Sequence, residues 1–207
     1  MPNWCINTLT VSGDVSEIKK FKEGVKSEEA HSDLSFDKLV PMPEELREMP
    51  PDFMDHCGNA KAKLKSVENP KDGGDFIIAS GDTSLEATEE AKRISDEKRK
   101  LKEKYGVSSW YEWSVINWGT KWDAHEVEIV KNNDEELIYK FYTAWCPPYE
   151  WLITASEKFS KLKFKVEYFD ECVSFEGYAT IENGNISDNC KKLDFDEESQ
   201  ETKEAHN

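Results

Sequence analysis

The chain has 207 residues and sets 43 Asp and Glu against 27 Lys and Arg, a formal charge of −16. Affinity for a phosphate backbone comes from Lys and Arg displacing counterions, so this balance argues against direct nucleic-acid binding and for a basic or neutral partner. The length suits one domain with a core, or a core plus an elaborate insertion. Seven Trp and ten Phe are too costly to leave in water for the whole chain to be disordered.

No apolar run follows Met1-Pro2-Asn3, and no apolar window approaches the length of a membrane span. Neither a signal peptide nor an anchor is expected, and the chain is read as cytoplasmic. Cys5, Cys57, Cys146, Cys172 and Cys190 are odd in number, scattered and without a CxxC pair, which suits reduced thiols.

In chain order, Trp4 to Ser12 alternates with Cys5, Leu9 and Val11 on one face and Trp4, Ile6, Thr8 and Thr10 on the other. Apolar groups on both faces predict a central strand. Gly13-Asp14 ends it. Asp14 precedes Glu17 by three in a capping-box arrangement, and Val15, Ile18, Phe21 and Val25 then follow at helical spacing to about Lys26. Leu34 to Val40 alternates as a short strand stopped by Pro41-Met42-Pro43.

From Phe53 to Asp82 the pattern is irregular around a short strand, Phe76 to Ala79. Leu85 to Tyr105 is a highly charged helix with a thin apolar stripe, and Ser108 to Asn117 is a second helix. Next comes Asn117-Trp118-Gly119-Thr120-Lys121-Trp122-Asp123, a corner that turns into a strand near His125, with Gly119 supplying backbone freedom. Trp113, Trp118, Gly119, Trp122, Trp145 and Trp151 are read as a structural aromatic corner, with core packing favoured over ligand stacking for the indoles. Strands Glu126 to Lys131 and Leu137 to Trp145 flank a hairpin at Asn132-Asn133-Asp134-Glu135, where asparagines tolerate positive φ.

After Pro147-Pro148, a helix to about Ser160 buries Trp151, Leu152, Ala155 and Phe159. Leu162 to Phe169 and Cys172 to Ile181 alternate as a closing hairpin. Asn183-Gly184 turns the chain out, and the tail from Ser187 to Asn207 is expected to be disordered.

The order β-α-β-β-α-β is the split βαβ plan. It predicts an α+β, ferredoxin-like core (1–40 and 108–186) whose antiparallel sheet has helices on one face, with 41–107 as a helical insertion. The other sheet face must be covered by the insertion or by a partner.

Four segments, Pro2-Asn3-Trp4-Cys5-Ile6-Asn7-Thr8-Leu9, Leu39-Val40-Pro41-Met42-Pro43-Glu44-Glu45-Leu46, Trp118-Gly119-Thr120-Lys121-Trp122-Asp123 and Thr143-Ala144-Trp145-Cys146-Pro147-Pro148, resemble the YubB-like, ferredoxin-like proteins of phages and plasmids. The resemblance implies the fold and a mobile-element origin. It carries over no catalytic residue, and the word "ferredoxin" implies no iron–sulfur cluster.

No catalytic constellation stands out. Asp55-His56-Cys57, His31 and His125 lack metal-ligand spacing, so no metal or other cofactor is expected. Cys5 lies on a strand face and Cys146 lacks an evident base. Asp72-Gly73-Gly74-Asp75 lacks the residues of a phosphate loop and reads as a turn. The sharpest imbalance is the run Glu28, Glu29, Asp33, Asp37, Glu44, Glu45, Glu48, Asp52 and Asp55 against Lys38 and Arg47. Glu28, Glu29, Asp33, Glu44, Glu45, Glu48, Asp52 and Asp55 are therefore the candidate partner-binding residues, presenting charge to a basic host protein or nucleoprotein complex. The expected activity is non-enzymatic inhibition of a host defence or nucleic-acid-processing complex, such as a CRISPR effector. The alternatives are a nucleotide-like ligand at the aromatic corner and an uncharacterised hydrolase.

Overall fold

The computed structural model describes residues 3–49, 65–68, 75–78, 85–170 and 175–193; for 65–68, 75–78 and 85–91 it describes the backbone alone. The described residues form, in chain order, β1 (Trp4–Ser12), α1 (Val15–Val25), α2 (Phe36–Leu39), α3 (Glu44–Arg47), β2 (Lys65–Glu68), β3 (Asp75–Ile78), α4 (Leu85–Tyr105) and α5 (Trp110–Trp118). There follow β4 (His125–Asn132), β5 (Glu136–Ala144), α6 (Tyr149–Lys158), β6 (Lys163–Asp170), β7 (Phe175–Glu182) and β8 (Asn185–Lys192). The chain divides into two compact units, Met1–Pro41 with Val115–Asn207, and Met42–Ser114.

In the first unit the described strands make one six-stranded sheet of order β4-β5-β1-β6-β7-β8. Every pairing is antiparallel. The subset β1-α1-β4-β5-α6-β6, with sheet order β4-β5-β1-β6, is the ferredoxin-like α+β plan, and β7 and β8 extend it at one edge. β1 is central as expected, paired along its length with β5 and most of its length with β6.

Strand alternation sorts the two faces. Cys5, Leu9 and Val11 of β1, Leu137, Tyr139 and Phe141 of β5, Phe164, Val166 and Tyr168 of β6, and Ala179 and Ile181 of β7 are all buried on one side. α1 and α6 lie on that side. Phe21 of α1 sets its ring 6.3 Å from Trp151 and 5.3 Å from Phe164, edge-on, and Phe36 sits 4.9 Å from Trp151. Each such buried side chain contributes on the order of 1.5–3 kcal/mol.

Local chemistry explains the element ends. Asp14 caps α1 through the amide of Ser16 at 2.9 Å, while Glu17 turns to Lys20 at 3.0 Å instead of closing a reciprocal box. In the β4–β5 turn Asn133 Oδ1 accepts the amides of Glu135 and Glu136, at 3.0 and 2.8 Å. That side-chain turn, rather than positive φ at the asparagines, holds the hairpin.

Two expectations are corrected. Leu34 to Val40 is not a strand: Phe36–Leu39 is one helical turn. Ser35 Oγ accepts the Lys38 amide at 3.2 Å, and Asp123 accepts the amides of Phe36 and Asp37, so the turn is held by caps that an alternating apolar pattern does not register. Ser187 to Lys192 is likewise strand rather than disordered tail. Asn183 and Gly184 both take positive φ, 49° and 76°, and fold β8 back onto β7. All eight side chains of β8 are exposed, and it is held by backbone pairing and by the Tyr168 hydroxyl, which donates to Asp188 Oδ1 at 2.6 Å. Residues 194–207 lie outside the described residues.

In the second unit α3 and α4 are present, with β2 paired to β3; β3 corresponds to the expected strand at Phe76. The second helix of the sequence reading appears as α5, which begins in this unit. Cys57, Cys172, Asp52, Asp55-His56-Cys57 and the turn residues Asp72-Gly73-Gly74 lie outside the described residues.

Among the described residues the Tyr139 hydroxyl is buried without a hydrogen-bond partner, and burial, with Asp33 nearby, pushes its pKa up. Leaving such a group unpaired costs about 1–3 kcal/mol. Tyr139→Phe is therefore expected to hold or raise stability in urea or thermal melts. A loss of more than about 1 kcal/mol would show that the hydroxyl is satisfied in solution.

Candidate binding face and aromatic corner

α1 and α6 cover the inner face of the sheet, and the side chains of the opposite parity stand on its outward face. Register defines its rows. His125, Tyr142, Ile6, Phe169, Glu176 and Lys191 stand side by side across β4, β5, β1, β6, β7 and β8. The next row is Glu128, Lys140, Thr8, Glu167, Tyr178 and Asn189, and the third is Lys131, Ile138, Thr10, Lys165, Thr180 and Ser187. Three glutamates against four lysines leave these rows close to neutral, so the negative excess of the chain resides elsewhere. Phe169 and Tyr178 are 37% and 44% exposed, large values for aromatic side chains. They flank a shallow depression of about 440 Å³ that also touches Ile6, Thr8, Glu167 and Glu176.

The Trp-Gly-Thr-Lys-Trp-Asp corner closes one end of this face. Trp118 is buried, and its Nε1 donates to the Val40 carbonyl at 3.0 Å. Gly119 has φ +78°, and a Cβ there would lie 3.1 Å from the Tyr149 amide nitrogen, so glycine is required on both counts. Thr120 Oγ1 donates to the Ala144 carbonyl at 3.0 Å, and the Trp145 amide to the Asn3 carbonyl at 2.9 Å. Asp123 accepts from Ser35 Oγ at 2.7 Å, from the Ala124 amide at 2.7 Å and from the amides of Phe36 and Asp37. Burial raises its pKa, opposed by those four donors. The segments around Asn3-Trp4, Leu39-Val40, Trp118 to Asp123 and Thr143 to Pro148, far apart in sequence, thus meet at one point.

The corner has two sides. Trp118 and Trp151 point into the core of the first unit, with Trp151 Nε1 donating to the Phe36 carbonyl at 3.2 Å; Trp113 is buried in the Met42–Ser114 unit. Trp122 is 37% exposed, so the core packing favoured for the indoles describes Trp118 and Trp151 but not this ring. Its ring lies 6.0 Å from that of Trp4, which stacks on His125 at 5.1 Å and meets Tyr142 edge-on at 6.4 Å. Lys121 Nζ sits 4.3 Å from the centre of the Trp122 ring and 5.7 Å from that of Trp145, a cation held between two indoles. Sequence reasoning singled out Trp122 and Trp145. It missed Trp4, Tyr142, Phe169 and Tyr178, because strand alternation does not say which face a helix will cover.

The acidic candidates are distributed as follows. Glu28, Glu29 and Asp33 belong to the first unit, with Glu28 paired to Lys26 at 2.9 Å. Glu44, Glu45 and Glu48 belong to the second, where Glu44 pairs with Arg47 at 3.1 Å and Glu45 with Lys104 at 2.8 Å. Lys104 and Tyr105 hold the Glu45 carboxyl below its ordinary value.

The thiols sit in a setting that disfavours nucleophilic chemistry. Burial, with Cys146 and Asp170 nearby, pushes Cys5 up to about 12, and burial also raises Cys146. Both are held protonated at neutral pH. Around them Asn7 Nδ2 donates to Thr143 Oγ1 at 2.8 Å, and Thr143 Oγ1 donates to the Cys146 carbonyl at 2.7 Å. These bonds tie β1 to the end of β5 and are structural. Among the described residues no three His, Cys, Asp or Glu side chains gather as a metal-holding group. None of the described helices is long and apolar enough to cross a membrane.

Residues 117–207 match the family model described as the ferredoxin-like domain in Api92-like protein. That span runs from the aromatic corner through β4, β5, α6, β6, β7 and β8, and so takes in most of the strands of the outward face. The chain is also similar in structure to the protein api92 from Yersinia pseudotuberculosis, with a TM-score of 0.50 and 13% identity over 94% of this chain and 99% of that one. At that identity the likeness speaks for the fold alone. No curated protein matches the chain.

Proposed function

We propose that this protein acts by binding rather than by catalysis, and that the outward sheet face with its aromatic corner is its main contact surface. The observation that carries this reading is the set of large aromatic side chains standing partly or openly in solvent along that face: Trp4, Tyr142, Phe169 and Tyr178, with Trp122 at its end. Exposed aromatic patches of this kind mark interaction sites, and aromatic residues dominate the energetics of protein interfaces. The formal charge of −16 supports a basic partner through electrostatic steering.

Under this proposal the protein is a phage- or plasmid-derived accessory factor in a bacterial cytoplasm. It inhibits a host defence or nucleic-acid-processing complex, such as a CRISPR effector. Glu28, Glu29, Asp33, Glu44, Glu45, Glu48, Asp52 and Asp55 steer the encounter. A second reading, a nucleotide-like ligand between Trp122, Trp145 and Lys121, draws support from the exposure of Trp122.

The test is capture of a partner from bacterial lysate, followed by titration of the purified pair. Trp4→Ala and Tyr142→Ala are expected to weaken binding about tenfold or more. Reversing Glu44, Glu45 and Glu48 together is expected to slow association and reduce its salt dependence. Unchanged affinity in the aromatic variants, with their fold intact by circular dichroism, would defeat the reading. A melting shift with nucleotides and no captured protein would favour the small-ligand alternative.

A further inference from the structure

Among the described residues, two aromatic rings sit beside a carboxylate and already hold a lysine. Lys165 Nζ lies 3.0 Å from Glu167 Oε1 and 5.7 Å from the centre of the Tyr178 ring. Lys104 Nζ lies 2.8 Å from Glu45 Oε2 and 4.9 Å from the centre of the Tyr105 ring. Phe169 and Glu176 make the same combination, side by side in register on β6 and β7 at the depression of the outward face. Phe169 is 37% exposed, and Glu176 has no ion pair among the described residues. Its register neighbour Lys191 stands across the strand without pairing to it.

We infer that the Phe169–Glu176 pair is the seat for an arginine side chain supplied by a protein partner, the guanidinium lying on the phenyl ring and donating to the carboxylate. This rests on the binding-face reading above and names the group which that face recognises. Arginine fits better than lysine because its planar fork stacks on a ring and pairs with a carboxylate at once, and because it is more weakly hydrated. Charge complementarity agrees: a chain of −16 attracts a basic segment from a distance, and beside the depression Lys165 already occupies the Tyr178–Glu167 pair. A nucleic-acid strand would have to approach against the charge of the whole chain, and at the depression Lys191 alone stands against Glu167 and Glu176.

The test uses the full chain with a short oligo-arginine peptide, an oligo-lysine peptide of equal length and a single-stranded oligonucleotide as probes. Binding is followed by calorimetry and by backbone chemical shifts. The arginine peptide is expected to shift the signals of Phe169, Glu176 and Tyr178, and to bind more tightly than the lysine peptide. Phe169→Ala and Glu176→Gln are each expected to weaken it about fivefold, and Glu135→Gln in the β4–β5 turn to leave it unchanged. Equal losses in all three variants, equal affinity for both peptides, or shifts confined to other residues would overturn the inference. So would occupation of the depression by the oligonucleotide. The binding-face reading fails separately, if Trp4→Ala and Tyr142→Ala leave capture of the cellular partner intact. If those two abolish capture while Phe169→Ala and Glu176→Gln do not, the arginine seat alone is wrong.

Discussion

Trp151→Ala is expected to destabilise the protein by about 3–5 kcal/mol, the range for deleting a large aromatic from a packed interior. Trp151 is fully buried, 4.9 Å from Phe36 and 6.3 Å from Phe21 between ring centres, and its Nε1 donates to the Phe36 carbonyl. One truncation therefore opens a cavity at the junction of α1, α2 and α6 and leaves a carbonyl unpaired. Trp151→Phe fills most of the space but loses the hydrogen bond, and about 1–2 kcal/mol is expected for it. Trp122→Ala, at an exposed ring, is expected to cost under about 1 kcal/mol. At roughly 2–4 °C per kcal/mol for a chain of this size, thermal melts separate the three variants. A Trp151→Ala variant that melted with Trp122→Ala would contradict this account of the core.

The contrast between those two indoles shows what the sequence could carry. Apolar spacing in α1 and α6, and alternation in β1, β5 and β6, were legible because each helix or strand advertises its own period. From that order the ferredoxin-like sheet followed. What was not legible depended on partners distant in the chain. The turn Phe36–Leu39 reads as a strand when taken alone, yet it is nucleated by a carboxylate 87 positions away and by the Ser35 cap. Ser35 before Phe36 was a local signal for that cap, outweighed by the alternation of Leu34 and Phe36.

β8 failed to register for a different reason. Its residues carry no apolar period because its side chains are exposed and it is held by backbone pairing and the Tyr168–Asp188 bond. The available sign was Asn183-Gly184, a strong two-residue hairpin signal that predicts a returning strand rather than an exit. The binding face was harder still. β1 is apolar on both faces, so nothing within it says whether Trp4 and Ile6 or Leu9 and Val11 meet the helices. Even with that settled, the row that sets Phe169 beside Glu176 exists only through register across β6 and β7.

Asp123→Ala is expected to cost about 3 kcal/mol or more, because it removes one side chain that serves four donors at once. Ser35 Oγ, the amides of Phe36 and Asp37, and the Ala124 amide all converge on its carboxylate. Hydrogen bonds to an ionised group are worth about 1.5–3 kcal/mol each, but bonds sharing one acceptor are not additive. The two helical amides lie where the helix dipole favours negative charge, and Lys158 Nζ donates to the Leu39 carbonyl at the other end of the turn. α2 is thus a single turn clamped by an anion at one end and a cation at the other, too short to persist without them. Asp123→Asn keeps one acceptor oxygen but turns an amide toward the remaining donors, so about 2 kcal/mol is expected for it, measured by urea unfolding. Asp123 is also adjacent to Trp122 and holds the segment that places Trp122 beside Trp4 and under Lys121. Its loss should therefore weaken partner binding and stability together, whereas Trp122→Ala should weaken binding with stability nearly intact. If Asp123→Ala left partner affinity unchanged while lowering stability, the corner would be a clamp for α2 and no part of the recognition surface.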